Sequence, residues 1–333
     1  MKISVIVPAF NAEKTIEACV QALLSQSLKP FEIIIGDDGS KDNTLKVLEE
    51  FGKKIRVISQ ENAGPAAARN NGARLAKGEV IVFTDSDCIT ARNFIKELSK
   101  PFKNPEIIGA QGAYKTKQTA LIALFDQSDI ETRYEKMKKQ EFIDFIGSYA
   151  AAYRKKEFFQ VGGFDEQYKM ASGEDPDLSF KLSELGKKMV FCEKAVVYHS
   201  HPENLWKYLR TKFYRGYWRV LLYARHPGKK TKDSYTSKGT LYGTLLQGIG
   251  ILIFSAWLSF FLTGNATLEV DAAFLAFGIL LNGCFYYLEK ILIIKCFKKS
   301  IALGIFSLII LPVRGIFQGF GIAAGFLKKA GFK

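Results

Sequence analysis

The chain has 333 residues, of which 48% are hydrophobic and 24% are charged, so an ordered protein is expected and a disordered one is excluded. Its formal net charge is +14, which favours partners that carry phosphate groups or anionic lipid. The sequence lacks zinc-finger spacing, a basic zipper and an RNA-binding aromatic motif, so we expect no nucleic acid partner. The five cysteines are scattered without a C-x-x-C pair, which favours a reducing compartment over a disulfide framework.

Short apolar runs alternate with segments of helical spacing in the N-terminal part of the chain. The predicted strands are residues 2–7, 31–35, 55–58 and 80–83. The predicted helices between them are residues 11–27, a helix capped by Asp42, and residues 66–76. This rhythm is typical of βαβ units and predicts an α/β fold with a mostly parallel sheet flanked by helices. Residues 147–153 are a further candidate strand, and residues 174–185 are a further predicted helix.

Three long apolar segments follow, at residues 241–268, 270–288 and 301–327. A membrane-spanning helix needs about 20 apolar residues, so the first two segments qualify. Pro312 and Arg314 interrupt the third, which is therefore either a kinked span or a re-entrant hairpin. Basic residues are present at 289–299 and absent from 263–269. By the positive-inside rule we expect an integral membrane protein whose N-terminal domain lies in the cytoplasm.

The segment before the first apolar run is strongly basic. Residues 203–238 contain ten Lys or Arg and two Asp or Glu, as expected beside a membrane with anionic lipids. Aromatic and basic residues mix at 205–223, which favours an interfacial helix, although a helix that covers the soluble core is an equal alternative. We therefore divide the chain into a catalytic domain at 1–202, an interfacial helix and linker at 203–240, and a membrane domain at 241–333 with two or three transmembrane segments.

Polar clusters follow three of the predicted strands, at residues 8–11, 37–40 and 85–87. Because ligands of parallel α/β sheets bind beyond the carboxyl ends of the strands, these clusters predict one shared site. Asp85 and Asp87 can hold Mg²⁺ or Mn²⁺, which would neutralise charge on a departing diphosphate; the alternative is a solvated turn. His199 is a candidate third ligand of the metal or an ordinary loop histidine.

Two predicted helices begin with residues that are candidates for ligand binding or catalysis. Arg69 follows Asn62-Ala63-Gly64-Pro65 at a helix start, where backbone N–H groups attract phosphate; a plain surface helix is the alternative. Glu174 and Asp175 begin the later helix. One of these carboxylates is a candidate general base, and the alternative is an acidic first turn favoured by the helix dipole.

Ordered motifs in this sequence resemble those of the family 2 glycosyltransferases, which are inverting enzymes with the A-type nucleotide-sugar fold. The matching segments are Ser4-Val-Ile-Val-Pro-Ala-Phe-Asn11, Asp37-Asp-Gly-Ser-Lys-Asp-Asn-Thr44, Asn62-Ala-Gly-Pro-Ala-Ala-Ala-Arg-Asn70 and Asp85-Ser-Asp87. Looser matches are Gly162-Gly-Phe-Asp165 and Gly173-Glu-Asp-Pro-Asp-Leu178. Gly36 departs from the pattern, because the family often has a larger apolar residue before the Asp pair.

The resemblance implies a role for each matched residue. The donor-binding residues would be Pro8, Phe10, Glu13, Asp38, Arg69, Asp85 and Arg215. Of these, Asp38 would contact the base of the nucleotide, and Arg215 would lie beside the diphosphate. Asp85 would approach the donor ribose or sugar, Asp87 would ligate the metal, and Asp175 would be the catalytic base. Beside these implied roles, the residues themselves make Asp85 and His199 further candidate metal ligands and Glu174 a second candidate base. Members of the family that synthesise polymers carry a further motif, which this chain matches only in part, at Lys212-Phe-Tyr-Arg215-Gly216. Polymer synthesis is therefore disfavoured.

The expected function is therefore transfer of a sugar from a nucleotide-sugar, with UDP favoured, to a hydroxyl of a lipid-linked saccharide or glycolipid. A polyprenyl-phosphate sugar transferase is the nearest alternative. Such an acceptor oxygen is already ionised and needs no base, so the Glu174-Asp175 pair favours a hydroxyl acceptor. A nucleotidyltransferase and a non-catalytic membrane scaffold are the alternatives from other classes.

Overall fold

The computed structural model describes residues 1–168, 173–229, 233–264 and 267–329. These residues form two compact units. The first comprises Met1–Gln118, Tyr134–His201 and Leu222–Tyr235, and the second comprises Thr119–Arg133, Pro202–Leu221 and Thr236–Lys333. Each unit has its own core of buried apolar residues.

The first unit is built around a mixed sheet. Its strands are β1 (Ile3–Ala9), β2 (Glu32–Asp37), β3 (Arg56–Ser59), β4 (Val80–Thr84), β5 (Ile89–Thr90), β6 (Ile107–Lys115), β7 (Ala150–Arg154) and β8 (Lys188–Tyr198). Their order in the sheet is β3-β2-β1-β4-β7-β6-β8-β5. The pairs β1–β2, β1–β4, β2–β3 and β6–β8 are parallel, whereas β7 is antiparallel to both of its neighbours and β5 is antiparallel to β8.

Eleven α-helices of the described chain complete the fold. They are α1 (Ile16–Leu24), α2 (Thr44–Glu49), α3 (Pro65–Leu75), α4 (Phe94–Ser99), α5 (Leu121–Lys138), α6 (Lys155–Gln160), α7 (Glu174–Glu184), α8 (Leu205–Arg225), α9 (Lys238–Leu262), α10 (Leu268–Lys299) and α11 (Ile301–Lys329). The predicted fold class, a mostly parallel sheet flanked by helices and followed by apolar C-terminal helices, is confirmed.

The strands that end at the polar clusters are buried because their sequences are almost wholly apolar. Every residue of β1 and β4 is buried, as expected for central strands covered on both faces. The buried face of α1 carries Ile16, Cys19, Val20 and Leu23 at helical spacing and packs into the same core. This packing fixes the carboxyl ends of β1 and β4, and with them the residues that follow each strand.

Gly36 lies where α3 approaches β2 most closely. A Cβ atom added at Gly36 would lie 2.9 Å from the carbonyl oxygen of Ala68, which is closer than a methyl group and a backbone oxygen tolerate. Because Gly36 has no side chain, α3 can pack closely against β2. Arg69 directly follows Ala68, the residue of α3 that makes this contact. The departure of Gly36 from the family pattern thus has a packing role.

The second unit contains three helices that are long and apolar enough to cross a membrane, among the residues described. They are Tyr242–Leu262, Leu268–Lys299 and Ile301–Lys329. Pro312 lies inside an uninterrupted α11. Glycines of α11 face the backbone of α8, because a side chain at Gly321 or Gly325 would collide with the carbonyl oxygen of Phe213 or Tyr217. Close backbone approach at small residues is typical of helix packing in membranes.

Buried charges connect the helices of the second unit. Arg314 of α11 donates to Glu289 of α10 at 2.6 Å, and its Nη1 lies 3.4 Å from Oδ1 of Asp129 in α5. Lys212 of α8 donates to Asp126 of α5 at 2.6 Å. All five side chains are at least nine-tenths buried. Because unpaired buried charges are costly, these pairs restrict how the four helices pack.

Candidate active site

The polar clusters at the carboxyl ends of β1, β2 and β4 line one pocket of about 370 Å³. Among the residues around it are Pro8, Phe10, Asp38, Arg69, Asp85 and Asp87. Half of the Phe10 side chain is exposed, so its ring is available for stacking. The structure therefore brings together six of the side chains that the sequence singled out.

Two loops of this edge are tied to each other by hydrogen bonds. The amide of Asn11 donates to Oγ of Ser40 at 2.9 Å, and the amide of Lys41 donates to Oδ1 of Asn11 at 2.8 Å. Glu13 takes part in the same connection, because its Oε2 accepts from the amide and the Nδ2 of Asn43 at 3.1 and 3.0 Å. Glu13 is outside the set of residues that line the pocket, and its predicted donor-binding role stays a prediction.

Asp38 anchors the loop that opens α3. Its Oδ1 accepts from Nε2 of Gln60 at 2.7 Å and from the amide of Ala63 at 2.9 Å, and its Oδ2 accepts from the amide of Gly64 at 2.9 Å. Gly64 has a φ of +96°, a conformation that glycine adopts without strain. A carboxylate has about four acceptor positions, so Asp38 holds the loop and keeps capacity for a ligand donor.

Arg69 bridges two carboxylates that are far apart in the sequence. Its Nη2 donates to Oδ1 of Asp85 at 2.8 Å, and its Nη1 donates to Oε1 of Glu174 at 3.1 Å. Arg69 and Glu174 are almost completely buried, whereas Asp85 is partly exposed. Burial alone would lower the pKa of Arg69, but Asp85, Asp175 and Glu174 raise it above its ordinary value. The guanidinium therefore stays charged.

Asp175 follows Glu174 in the first turn of α7. Its Oδ2 accepts from the amide of Ser148 at 3.0 Å and lies 3.3 Å from the hydroxyl of that serine. Its Oδ1 is buried and has no hydrogen-bond partner within the described part of the chain. Burial, and then the charge of Glu174, raise the pKa of Asp175 to about 8. A carboxylate with this pKa has the basicity that a general base needs near neutral pH.

A second group of ligand atoms lies beside Asp87. Oδ1 of Asp87 is 3.4 Å from Nδ1 of His199, so the structure brings two of the predicted metal ligands close to each other. Desolvation would raise the pKa of Asp87, but the hydrogen bond and charge of His199 lower it below its ordinary value. An ionised carboxylate beside an imidazole fits a divalent cation such as Mn²⁺. Oδ1 of Asp85 faces Arg69 instead.

Two residues of this region were not singled out in the sequence. Cys88 is fully buried, and its Sγ forms one group with the ligand atoms of Asp87 and His199. The ring of Tyr114 stacks on the His199 ring at 4.7 Å between centroids and on Tyr149 at 3.5 Å. Stacking on this column orients the imidazole. Neither residue carries a local motif that signals its role.

Arg215 belongs to α8, in the part of that helix assigned to the second unit. Its predicted position beside the diphosphate stays a prediction.

The mixed sheet with a pocket at its carboxyl edge is an architecture that known structures share. The chain resembles the mannosyltransferase PcManGT from Pyrobaculum calidifontis, solved with GDP-Man and Mn²⁺, at a TM-score of 0.59 and 15% identity, covering 100% of this chain and 88% of that one. It also resembles GalNAc-T7, solved with UDP, GalNAc and Mn²⁺, at a TM-score of 0.51 and 18% identity, covering 73% and 53%. At these identities the likeness establishes the fold alone.

A sequence comparison relates the N-terminal part of the chain to a known family. Residues 4–159 match the family model described as glycosyl transferase family 2, which confirms the resemblance drawn from the motifs. The chain is 30% identical over 221 residues to EpsJ of Bacillus subtilis, an uncharacterized glycosyltransferase, covering 61% of this chain and 62% of that protein. It spans less than two thirds of the length of the first curated relatives it matches.

Proposed function

We propose that this protein is a membrane-attached, metal-dependent glycosyltransferase that moves a sugar from a nucleotide-sugar donor to a hydroxyl acceptor with inversion. One observation carries the proposal. Arg69 contacts both Asp85, in the pocket at the carboxyl edge of the sheet, and Glu174, the neighbour of the candidate base. A donor pocket and a basic carboxylate are thereby held in one connected array.

Donor binding would use the pocket beside β1 and β2. The exposed ring of Phe10 offers a stacking surface for the base, and Asp38 offers its remaining acceptor capacity to a base N–H. Arg69 is already shared between two carboxylates, so its first role is to orient Asp85 toward the donor. UDP is the favoured nucleotide by the resemblance, and both GDP and dTDP fit the same chemistry.

Asp87 and His199 would hold a Mg²⁺ or Mn²⁺ ion. The two solved structures of the same fold contain Mn²⁺, which supports this choice. When bound, the ion supplies positive charge to the diphosphate oxygens as the nucleotide departs. Asp87 is the more exposed of the two ligands, so it reaches an ion that enters from the pocket.

Asp175 would act as the base. It takes the proton of the acceptor hydroxyl, the resulting oxygen bonds to the anomeric carbon, and the bond from that carbon to the diphosphate oxygen breaks. The nucleotide diphosphate leaves with the bonding electrons, and the configuration inverts. Positioning and charge stabilisation supply most of the rate.

The acceptor would be a lipid-linked saccharide or glycolipid in a cytoplasmic leaflet. Three apolar helices long enough to span a bilayer support attachment to lipid, and basic residues at 289–299 support a cytoplasmic catalytic domain. A polyprenyl phosphate remains the second candidate acceptor. The raised pKa of Asp175 favours a hydroxyl over a phosphate, because only a hydroxyl needs a strong base.

Hydrolysis and transfer assays on the full chain in detergent test the proposal. A panel of UDP-, GDP- and dTDP-sugars is incubated with Mn²⁺, and release of the nucleotide diphosphate is measured with and without glycolipid acceptors. We expect one donor class to react, and we expect Asp87→Ala to abolish its turnover. Asp175→Asn should lower transfer by about 10²- to 10⁴-fold while the donor still binds. Full turnover by Asp175→Asn would remove Asp175 as the base.

A further inference from the structure

Asp87, Cys88 and His199 form a compact set of three possible metal ligands, here called the thiol cluster. Sγ of Cys88 lies 3.7 Å from Oδ1 of Asp87 and 4.0 Å from Nδ1 of His199. The Asp87 and His199 atoms are 3.4 Å apart. The three atoms thus form a nearly regular triangle with one oxygen, one nitrogen and one sulfur corner.

These separations match the edges of a tetrahedral zinc site. Zinc lies about 2.3 Å from sulfur and about 2.0 to 2.2 Å from nitrogen or oxygen. At a tetrahedral angle, those bond lengths place neighbouring ligand atoms about 3.3 to 3.6 Å apart. The measured sides, 3.4, 3.7 and 4.0 Å, exceed this range by at most a few tenths of an ångström. Small side-chain rotations therefore close the triangle on an ion.

The third ligand changes which ions the cluster prefers. Mg²⁺ takes oxygen ligands in an octahedron, and sulfur contributes little to its binding. Zinc accepts thiolate, imidazole and carboxylate together, and its affinity for such mixed sites exceeds that of Mn²⁺. Three protein ligands leave the fourth position of the tetrahedron open, as in catalytic zinc sites. Asp87 also lines the pocket, which provides an entry path for the ion.

We propose that the thiol cluster binds Zn²⁺ through all three side chains and that bound Zn²⁺ displaces the Mg²⁺ or Mn²⁺ used in transfer. Binding releases the thiol proton of Cys88 to solvent, because the zinc ligand is the thiolate. Zinc is then an inhibitor that competes with the activating metal. The inhibitory part rests on the proposed function, whereas the binding part stands on the geometry alone.

Cobalt spectroscopy tests the binding part without any activity. Co²⁺ replaces Zn²⁺ in such sites and gives a near-ultraviolet sulfur-to-cobalt band when a thiolate is bound. The full chain in detergent, free of metal, is titrated with CoCl₂ and then with ZnCl₂. We expect a band that saturates at one ion per chain and disappears as zinc is added. Cys88→Ser should lose the band and bind zinc at least about tenfold more weakly.

Cys192→Ser is the matched control, because Cys192 is a partly buried thiol of the first unit that lies outside the cluster. It should keep the cobalt band and the zinc affinity of the unmodified chain. A cobalt complex without a sulfur band, or a band that survives in Cys88→Ser, would overturn the proposal. Folding of each variant is checked by its melting temperature without metal.

Inhibition is measured separately. Mn²⁺-supported release of nucleotide diphosphate is followed at increasing ZnCl₂, and each variant is compared with its own zinc-free rate. We expect the zinc concentration for half inhibition to rise at least about tenfold in Cys88→Ser and to rise in proportion to Mn²⁺ in the unmodified chain. Zinc inhibition that does not depend on the Mn²⁺ concentration would contradict the displacement of Mn²⁺ by Zn²⁺. If the unmodified chain gives the cobalt band but shows no turnover, the proposed transferase function is wrong, whereas the proposed zinc site is supported.

Discussion

Arg69 and Glu174 are 105 positions apart in the chain, and their side chains form a buried ion pair with 3.1 Å between Nη1 and Oε1. The same guanidinium donates to Asp85. The end of β4 is therefore linked electrostatically to the first turn of α7. Because Arg69 and Glu174 are both charged and shielded from water, removing the shared cation has consequences for stability as well as for chemistry.

Replacing Arg69 with Met should destabilise the first unit strongly. Glu174 would be left as a buried carboxylate without its cation, and breaking such a pair costs about 3 to 5 kcal/mol. The double variant Arg69→Met/Glu174→Gln should recover part of this loss, because it removes the uncompensated charge. Thermal unfolding in detergent measures both. Equal melting temperatures for Arg69→Met and the unmodified chain would contradict a stabilising role of the ion pair.

The transfer rate should rise with pH through a pKa of about 8, the value for Asp175. A base works in its deprotonated form, so the rate should fall about tenfold for each pH unit below the pKa and level off above it. Rates are measured at donor and acceptor concentrations well below saturation, where they follow kcat/KM and report the pKa of the free enzyme.

Glu174→Gln provides the control for this profile. The charge of Glu174 is the second cause of the raised pKa of Asp175, after burial. Removing that charge should move the inflection to lower pH. A profile that keeps the same inflection in Glu174→Gln would assign the titration to another group.

Gly36→Ala should weaken the packing of α3 on β2. The added methyl group would lie 2.9 Å from the carbonyl oxygen of Ala68, and backbone oxygens cannot turn away as side chains do. Overpacking of this kind costs about 1 to 3 kcal/mol. Gly228→Ala is the matched control, since nothing lies within 4 Å of its added Cβ, and it should change stability by less than about 0.5 kcal/mol. Equal losses in the two variants would argue against the close contact.

His226→Ala should loosen α7, the helix that carries Glu174 and Asp175. Its Nε2 lies 3.1 Å from Oδ1 of Asp177, and its Nδ1 lies 2.9 Å from Oε1 of Glu184. Because Asp177 is fully buried, losing this partner should cost about 1 to 3 kcal/mol.

Lys181→Ala removes another partner of Asp177, a partly exposed lysine on the same helix. Arg225 stays in place, with its Nη1 3.7 Å from Oδ1 of Asp177. Because Lys181 is partly exposed and water can screen the charge it leaves behind, the loss of stability should be smaller than that for His226→Ala. Chemical unfolding of both variants is compared in the same detergent. A larger loss for Lys181→Ala than for His226→Ala would reverse the assignment of the stabilising contact.

The ion pair between Glu289 and Arg314 should show strong coupling. Arg314→Leu leaves Glu289 buried without a partner, whereas Glu289→Leu/Arg314→Leu removes both charges. Replacing a buried pair with apolar residues is often neutral, so the double variant should be more stable than Arg314→Leu by several kcal/mol, about 3 or more. Asp129 keeps its pair with Arg133 in both variants. Additive effects in a double-mutant cycle would refute the coupling.

Local patterns were sufficient to predict the parallel half of the sheet. Asp85 and Asp87 were predicted as site residues because they follow an apolar strand, and the structure places both at the pocket. Strand β6 was missed because two glycines interrupt its apolar run, and β8 because Glu193 and Lys194 do the same. Their pairing depends on neighbouring strands, which a local pattern does not contain.

The contacts of the site were harder to predict than its members. Arg69 was expected near the nucleotide, and nothing local indicated that it pairs with Glu174 so far along the chain. Cys88 was overlooked because cysteine spacing within the sequence reveals only ligands that are close in sequence. His199 lies 111 positions from Cys88, and the pairing of β5 with β8 brings the two together only in the folded sheet.

The paired charges of the second unit have a practical consequence for how the protein is handled. Asp126, Asp129 and Lys212 precede residue 236, while Glu289 and Arg314 follow it, and all share one buried network. A fragment cut off before the apolar helices would keep the first three groups and lose the other two, along with the apolar cover of Tyr208 and Leu209. Such a fragment would expose apolar surface and aggregate, so solubilisation should start from the intact polypeptide.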